Sequence, residues 1–203
     1  MNKYVKYIIK SKYIKYIIKT LYKIILPFVL LFFRLFYKKE FLKGKQFENS
    51  YIGLIWCLKG ILWQKIFRIN PHFPWPVSPF IKISNWKNIE FHPDDLGLFQ
   101  GFGNYYQNFA AKIIIGKGSY IAPNVGIITA NHDVNNLDKH LPGKDVIIGK
   151  NCWIGMNSVI LPGIILGDNT IVGAGSIVTK SFPQGHCVIA GNPAKIIKYL
   201  EKK

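Results

Sequence analysis

The most regular feature of the chain is an aliphatic residue that recurs every six positions in its C-terminal half. The positions that share this spacing are Ile115, Ile121, Ile127, Ile148, Ile154, Ile160, Leu166, Val172 and Val178. A period of six fits neither an α-helix nor a simple strand, whose side chains repeat every 3.6 and 2 residues. It predicts a solenoid with three flat faces per coil, each face made by one hexapeptide, with the aliphatic residues stacked inside. One coil then takes 18 residues.

The repeat is interrupted once. The interval from Ile127 to Ile148 is 21 residues instead of 18, which shifts the register by three and requires an insertion that leaves the coil. The segment 133–145, DVNNLDKHLPGKD, is polar and contains a Pro-Gly turn. It therefore predicts an external loop that projects from one corner of the solenoid, directly after His132.

Residues 1–45 have a different pattern, which predicts a basic, aromatic and apolar helical segment. KYVKYIIK at 3–10 recurs almost unchanged as KYIKYIIK at 12–19, and nine residues turn a helix by half a turn, so the lysines of the two copies face opposite ways. The apolar run 24–33 is short for a membrane span, which takes about 20 residues. We expect residues 1–39 to attach to an anionic membrane surface; packing on the protein's own core or on a partner subunit is the alternative.

Residues 46–76 predict a second helix followed by a connector. Apolar residues keep helical spacing between Tyr51 and Phe67, and the proline-rich segment NPHFPWPVSP at 70–79 ends this helix. The Phe and Trp residues of that segment would be wasted in solvent. We therefore expect a rigid connector that packs on the protein and not a flexible domain linker.

Composition adds charge and redox context. Of the net charge of +17, residues 1–45 supply +11, from twelve Lys or Arg against the single Glu40. Nucleic acid is not expected as a partner, because Ile and Tyr outnumber polar base-reading residues in this segment. Cys57, Cys152 and Cys187 lack the spacing of a zinc site or redox pair. We interpret them as small packing residues in a reduced compartment, and we expect no metal.

The segment GKNCWIGMNSVILPGIILGDNTIVGAGSIVTKSFP at 149–183, followed by AGNPAKIIK at 190–198, resembles the hexapeptide-repeat acyltransferases, and within them the sugar and polysaccharide O-acetyltransferases. The resemblance implies an all-β solenoid, a left-handed parallel β-helix over 77–190. It also implies a short C-terminal helix in the tail 191–203, beside the basic helical extension at the N-terminus. The left hand comes from the resemblance alone, because parallel connections are normally right-handed.

The resemblance further implies an acyl-transfer site beside the loop. A histidine is suited to take the proton of an alcohol at neutral pH, and the family places its catalytic histidine just before the projecting loop, where His132 stands. Asn108 resembles the asparagine that helps to hold the acceptor. Asp133 could orient His132 or start the loop as an Asx turn. Asp94 and Asp95 could meet sugar hydroxyls or merely cap a turn.

Acetyl-CoA is the co-substrate that the resemblance implies. The matching positions for the pantetheine and adenosine groove are Met156, Ala174, Thr179 and Lys180, and those for the phosphates are Lys195 and Lys198. Backbone N–H groups next to Gly155 or Gly173 are candidates for the oxyanion site. Family members place each site between two of three subunits, so we expect a homotrimer.

These features together predict an O-acetyltransferase that acts on a sugar of a surface polysaccharide or lipid-linked glycan precursor, in the cytoplasm and peripherally attached to the inner face of the bacterial cytoplasmic membrane. An acetyltransferase of a small soluble sugar, an antibiotic or a nucleotide-sugar amine is the alternative, and it would need no anchor. A zinc carbonic anhydrase on the same coil needs three histidines, which the spacing of His132 and His140 does not match. A non-catalytic assembly coil would not need the VTK and GNPAK segments.

Overall fold

The computed structural model describes residues 3–201, and its C-terminal part is a solenoid whose chain visits three parallel sheets in turn. We name these sheets faces 1, 2 and 3. The strands of face 1 are Lys82–Ile83, Tyr105–Gln107, Gly126–Ile128, Val159–Ile160 and Ile177–Val178; those of face 2 are Ile89–Glu90, Ile113–Ile115, Val146–Ile148 and Ile165–Leu166; those of face 3 are Tyr120–Ile121, Trp153–Ile154, Thr170–Val172, Cys187–Gly191 and Ala194–Tyr199. Ala194–Tyr199 is the one antiparallel member among these strands.

The predicted aliphatic positions form the interior of the solenoid. Eight of them are at most 3% exposed, and Ile121 is half-buried. Strand pairing joins Ile154 to Val172, and Ile160 to Val178, which confirms a coil of 18 residues. Burial of one aliphatic side chain per face and coil supplies about 1.5–3 kcal/mol each, so the interior accounts for much of the stability of this region.

Glycines allow successive coils to stack closely at the corner between faces 2 and 3. A Cβ atom on Gly116 would lie 2.5 Å from the carbonyl carbon of Gly149, and one on Gly149 would lie 2.6 Å from the amide nitrogen of Asp168. Both distances are shorter than any van der Waals contact. The small residues that follow the aliphatic positions are therefore required by the backbone of the next coil.

The solenoid begins before Ile115, the first residue of the regular repeat. The insertion that follows Ile127 is also longer than the interval from Ile127 to Ile148 indicates. The 3-10 helix Pro93–Phe99 follows a face 2 strand and occupies the place of a face 3 strand. Ile127 pairs with Ile160, 33 residues later instead of 18, so fifteen residues leave the coil, and the predicted slip of three was wrong. The sequence leaves the length of the insertion ambiguous, because an aliphatic residue occupies the equivalent place on all three faces. The interval between two such residues does not show whether they lie on the same face. The inserted segment contains a β-hairpin, His132–Asp133 paired with Asn136–His140.

The predicted C-terminal helix in residues 191–203 was wrong. Residues Ala194–Tyr199 form a strand that runs antiparallel to Cys187–Gly191 after a turn containing a cis bond between Asn192 and Pro193. The last coil would otherwise expose the unpaired N–H and C=O groups of Cys187–Gly191, and the returning strand satisfies them. Residues 202 and 203 lie outside the described residues.

The N-terminal region is helical, as predicted, and it begins with one long helix. Helix α1 covers Lys3–Phe33, while residues 1 and 2 lie outside the described residues. The further helical segments before the solenoid are the 3-10 helix Lys39–Phe41, the α-helices Lys45–Glu48 and Ile52–Gly60, and the π-helix Ile61–Ile66, and a 3-10 helix Trp86–Asn88 lies between two solenoid strands. The predicted helix between Tyr51 and Phe67 is therefore confirmed.

Beyond residue 12, α1 has two faces of different character. An exposed apolar face repeats at spacings of three and four residues and consists of Tyr13, Ile14, Ile17, Leu21, Ile24, Ile25, Phe28, Leu31 and Phe32. Val29, Leu30 and Phe33 lie on the opposite side and pack on the core. The window Tyr16–Phe33 has a mean hydropathy of 1.8 and is long and apolar enough to cross a membrane, by length and composition only. The helix thus extends well beyond the short run 24–33 on which the sequence argument relied.

A buried glutamine ties the N-terminal region to the proline-rich connector. The Gln64 side chain is fully buried; its Oε1 accepts from the Tyr37 hydroxyl at 3.2 Å and from the Val77 N–H at 3.1 Å. Its Nε2 donates to the carbonyls of Asn70 and Trp75, each at 3.2 Å. Tyr37 follows α1, and the other three partners belong to the proline-rich segment 70–79. One side chain therefore fixes the course of the connector, which confirms that the connector packs on the protein.

Candidate active site

His132 lies at the corner between faces 1 and 2, where the chain leaves the coil. The segment before it is fixed by Gln107, a buried residue of face 1, whose Oε1 accepts from the N–H groups of Thr129 at 2.9 Å and Ala130 at 3.1 Å. The Gln107 Nε2 donates to the Ala130 carbonyl at 2.9 Å. Buried amide contacts of this kind are strong positional constraints, so a rigid backbone carries an exposed imidazole.

The hairpin sets the tautomer of His132. The Nδ1 atom lies 2.6 Å from the carbonyl oxygen of Leu137. Because a carbonyl only accepts, Nδ1 carries the proton, and Nε2 is the unprotonated nitrogen of the neutral ring. The side chain is exposed. An exposed Nε2 that can accept a proton, held by a hydrogen bond on the other nitrogen, is the arrangement of a general base.

Two aromatic rings that the sequence argument did not assign to the site stand beside His132. The His140 ring lies 4.2 Å from the His132 ring between centroids, and Phe109 lies 4.9 Å from His140 in an edge arrangement. His140 belongs to the predicted external loop 133–145, and strand pairing sets it directly opposite His132. The sequence signal for the position of His140 is the turn-forming residue Asp133, because the segments before and after such a turn can pair as the two strands of a hairpin.

Asp133 and Asn108 are occupied by backbone contacts. Asp133 Oδ1 accepts from the Asn135 N–H at 2.9 Å, which is the Asx-turn alternative. Asn108 is fully buried; its Oδ1 accepts from the Asn85 N–H at 2.9 Å, and its Nδ2 donates to the Asn85 carbonyl at 2.6 Å. The arrangement supports a framework role for Asn108 and does not support the predicted contact with the acceptor, because its polar atoms face the chain.

Asp94 and Asp95 lie at a different corner, between faces 2 and 3. Asp95 is 6% exposed and accepts from the Gly118 N–H at 2.7 Å, and Lys45 Nζ lies 3.4 Å from its other oxygen. Asp94 pairs with Lys117 at 2.9 Å, and this hydrogen bond is the main cause that lowers the pKa of Asp94. Within one chain the two carboxylates fasten the N-terminal region to the coil, and a contact with sugar hydroxyls stays a prediction.

The residues predicted for acetyl-CoA lie on more than one edge of the solenoid. Met156 and Ala174 are exposed and follow Gly155 and Gly173 at the corner between faces 3 and 1, one coil apart. Thr179 and Lys180 lie on the edge that carries His132, two coils further, which corresponds to about 10 Å at the usual spacing between strands. Only this second pair shares an edge with the base.

The remaining predicted groups lie on the last strands. Lys195 and Lys198 are exposed on Ala194–Tyr199, and Lys198 lines a cavity of about 690 Å³ together with Asn151, Asn169 and His186. The N–H groups of Gly155 and Gly173 donate to the carbonyls of Val172 and Ile189, each at 2.8 Å. These two N–H groups therefore hold successive coils together, and the N–H groups next to them remain the predicted oxyanion donors.

The cysteines are packing residues, as the sequence indicated. Cys57, Cys152 and Cys187 are buried and unpaired with one another. Burial raises the pKa of Cys57 to about 12 and raises that of Cys152 and Cys187. Thiols that stay protonated are poor nucleophiles and poor metal ligands. Among residues 3–201, no three His, Cys, Asp or Glu side chains gather as a metal site.

Comparisons with known proteins agree with this geometry. The family model described as a hexapeptide repeat of succinyl-transferase matches residues 145–180. A relative in Lysinibacillus sphaericus, named as a macrolide acetyltransferase, is 35% identical in an alignment of 121 positions that covers 49% of this chain and 67% of the relative. WcaF of Escherichia coli K12, named as a colanic acid biosynthesis acetyltransferase, is 36% identical over 127 residues, which are 60% of this chain and 64% of the relative.

A solved structure of a galactoside acetyltransferase in complex with coenzyme A superposes with a TM-score of 0.51 at 31% identity, over 63% of this chain and 62% of that one. The chain spans about half the length of several other curated relatives that it matches. From the repeat, the three parallel sheets and these matches, the chain belongs to the hexapeptide-repeat acyltransferase superfamily.

Proposed function

We propose that the protein transfers an acetyl group from acetyl-CoA to a sugar hydroxyl. The observation that carries the proposal is the His132 ring, whose Nδ1–H donates to the Leu137 carbonyl and whose exposed Nε2 can accept a proton. Nε2 takes the hydroxyl proton while the hydroxyl oxygen attacks the thioester carbonyl. The carbon–sulfur bond then breaks, and the imidazolium returns its proton to the thiolate of coenzyme A. The hairpin carbonyl stabilises the imidazolium during this exchange.

The acceptor that we propose is a sugar of a surface polysaccharide or of a lipid-linked glycan precursor. One similar protein is named for colanic acid biosynthesis and another for galactosides, and both names point to carbohydrate. The rings of Phe109 and His140 beside His132 offer an apolar wall for the C–H faces of a sugar. A macrolide or another small soluble acceptor is the second candidate, and the macrolide acetyltransferase relative favours it.

We further propose a homotrimer in which each site draws on two chains. Met156 and Ala174 lie on one edge of the solenoid, and Thr179, Lys180 and His132 lie on another. A flat face separates the two edges, so one groove within one chain cannot contain both sets. Two chains packed edge to edge can form one groove for the pantetheine arm, with the lysines of the last strand available for phosphates.

The exposed apolar face of α1 supports peripheral attachment through residues 1–39 to the cytoplasmic face of an anionic membrane. Phe28, Leu31 and Phe32 are 72%, 59% and 49% exposed, and a row of this kind on a basic helix is typical of interfacial binding. An enzyme held at this surface would meet a lipid-linked acceptor, whereas a soluble antibiotic would require no such face. The helix therefore favours the glycan acceptor over the macrolide.

Transfer of labelled acetyl from acetyl-CoA tests the activity. The wild-type protein is offered lipid-linked glycan, capsular polysaccharide, a soluble galactoside and a macrolide. We expect label in the glycan fractions and a loss of about 10²–10⁴-fold in His132→Ala. Val134→Ala, at the 87% exposed tip of the same hairpin, is the matched control and should retain the wild-type rate. Unchanged transfer by His132→Ala would remove the base, and label in the macrolide alone would reject the glycan acceptor.

Sedimentation with anionic vesicles tests the membrane attachment. Deletion of residues 1–39 would also remove the buried Phe33 and Tyr37, so point substitutions are sharper. The triple variant Phe28→Ser, Leu31→Ser and Phe32→Ser should lose most of its vesicle binding, because about 1.5–3 kcal/mol of transfer free energy is lost per fully buried side chain. Val134→Ser with Ile197→Ser, both exposed on the solenoid, should bind like the wild type. Equal binding of all three proteins would reject the attachment.

A further inference from the structure

The end of α1 borders an open basic cavity that the acetyl-transfer chemistry does not use. The cavity measures about 470 Å³, and three separate segments supply its cations. Arg34, Lys38 and Lys39 follow α1, Lys65 comes from the π-helix, and His72 comes from the proline-rich connector. No carboxylate is among the residues that line it. Four Lys or Arg side chains in a lining without a carboxylate indicate a site for an anion.

The walls of this cavity are held in place by contacts of their own. The Lys38 N–H donates to the Pro74 carbonyl at 2.9 Å, which joins the end of α1 to the connector. Lys65 Nζ donates to the Pro71 carbonyl at 2.8 Å and lies 5.5 Å from the centre of the Tyr37 ring. Burial lowers the pKa of Lys65, so a neighbouring anion would offset the cost of keeping this amine charged. The fold therefore fixes the Lys65 ammonium and the backbone at Lys38, and the exposed side chains of Arg34, Lys38 and Lys39 extend from this fixed wall.

The cavity lies where the exposed apolar face of α1 ends. Phe28, Leu31 and Phe32 belong to that face, and Leu35, which is 77% exposed, continues it to the rim of the cavity. Arg34 is the first charge after ten uncharged residues at 24–33. If this face enters the acyl chains of a bilayer, the cavity opens at the depth of the lipid phosphates, because charged side chains remain at the interface.

We propose that this cavity binds a phosphate group carried by a membrane lipid, either the headgroup of a phospholipid or the diphosphate that joins a glycan to its lipid carrier. The inference rests on the membrane attachment in the proposed function. Arg34 can contact two phosphate oxygens with its planar fork, and the lysines act as point charges. The volume exceeds that of one phosphate and falls in the range of about 300–1,000 Å³ that holds small ligands, so a diphosphate with its first sugar fits.

A phosphate site differs from general attraction to negative charge in its dependence on headgroup chemistry. Wild-type protein is sedimented with phosphatidylcholine vesicles that contain phosphatidate, a polyprenyl diphosphate or oleate, matched in surface charge. We expect binding to both kinds of phosphate vesicle to exceed binding to oleate vesicles at least tenfold. The stronger of the two phosphate arms identifies the source. Equal binding to all three, or binding of inorganic pyrophosphate in solution without any preference for vesicles, would overturn the proposal.

Charge-matched variants locate the effect. Arg34→Gln with Lys39→Gln removes two charges from the cavity, and Lys43→Gln with Lys59→Gln removes two exposed charges from the same region outside it. We expect the first pair to lose binding to phosphate vesicles about tenfold more than the second, with equal and small losses on oleate vesicles. His72→Gln tests the opposite wall of the cavity and should also lower phosphate binding. Equal losses in both pairs would show that only net charge matters.

Acetyl transfer to a soluble galactoside separates this inference from the proposed function. Both charge variants should retain the wild-type rate on that acceptor, because the cavity residues belong to the N-terminal region and His132 lies on the hairpin. Loss of phosphate preference with retained transfer would concern the cavity alone. Absence of transfer in every protein, with phosphate preference intact, would reject the activity and leave the lipid site standing.

Discussion

The solenoid and the N-terminal region achieve burial in different ways. In the solenoid an aliphatic side chain fills the equivalent interior position on each face of each coil. Ile127, Ile148 and Ile160 are each at most 1% exposed. The N-terminal region relies on single contacts such as Gln64, and from Tyr13 to Phe32 α1 keeps most of its described apolar side chains in solvent. A repeated interior gains stability coil by coil, whereas each contact before it is unique. The first region is built for rigidity, and the second leaves apolar and basic side chains exposed.

The largest expected effect is the loss of one interior side chain. Ile160→Ala should lower the free energy of unfolding by about 2–5 kcal/mol, because the rigid coils cannot close the cavity. Phe28→Ala, on the exposed face of α1, should change it by less than about 0.5 kcal/mol. Chemical denaturation followed by circular dichroism measures both. Similar losses in the two variants would mean that the α1 face is buried in solution and would break the comparison.

The next effect is expected at the buried glutamine. Gln64→Leu leaves the Val77 N–H and the Trp75 carbonyl without their partner and leaves the Tyr37 hydroxyl only the Cys57 carbonyl, at 3.4 Å. We expect a loss of about 2–3 kcal/mol, since unpaired buried polar groups cost about 1–3 kcal/mol each. Gln46→Leu, which removes one half-buried bond to the Asp94 carbonyl, should cost about 1 kcal/mol. If the two losses were equal, the connector would not depend on Gln64.

Cysteine labelling should report which region opens first. Burial raises the pKa of Cys57 to about 12 and that of Cys152 as well, so each thiol reacts only after local opening. Because the N-terminal region lacks a repeated interior, we expect Cys57 to be alkylated about tenfold faster than Cys152 and Cys187 in moderate denaturant. Mass spectrometry of peptides resolves the three sites. Faster labelling of Cys152 would reverse the order of stability.

The smallest effect concerns the joint between the regions. The hydrogen bond from Lys117 lowers the pKa of Asp94 in the folded state, so its contribution is present above the unfolded Asp pKa of about 3.9 and is lost as the pH falls through the lower folded value. Asp94→Asn should cost about 0.5–1 kcal/mol at pH 7 and nothing near pH 2. Asp138→Asn, on the exposed hairpin strand, should cost nothing at either pH. A pH-independent difference would exclude the ion pair as the cause.

The parts of the fold that the sequence predicts are those with a period. Six-residue spacing places Ile115 and Val178 in the interior, and the burial of both confirms it. The length of the insertion could not be read, because identical positions on three faces make intervals ambiguous. The tail AKIIKY is as compatible with a helix as with a strand in isolation, and only the open edge of Cys187–Gly191 decides for the strand.

The candidate site, like the fold, is only partly predictable from the sequence. The place of His132 follows from the resemblance and from the end of the repeat, and the structure adds the Leu137 carbonyl and the His140 ring. Those two depend on pairing across a hairpin, which residue types at 132–140 do not specify. Asn108 has the residue type of an acceptor contact, but its surroundings give it to the backbone of Asn85. A residue type alone does not tell a framework amide from a reactive one.

The reversal of chain direction after Gly191 has a consequence for behaviour at high concentration. A solenoid of parallel coils offers, at each end, a template on which another copy could stack without limit. On face 3 that end is occupied by Ala194–Tyr199, which runs the opposite way and carries the exposed Lys195 and Lys198. An incoming parallel coil meets the wrong hydrogen-bond pattern and like charges. We therefore expect this strand to oppose stacking of further copies on face 3 and to keep concentrated protein in discrete particles.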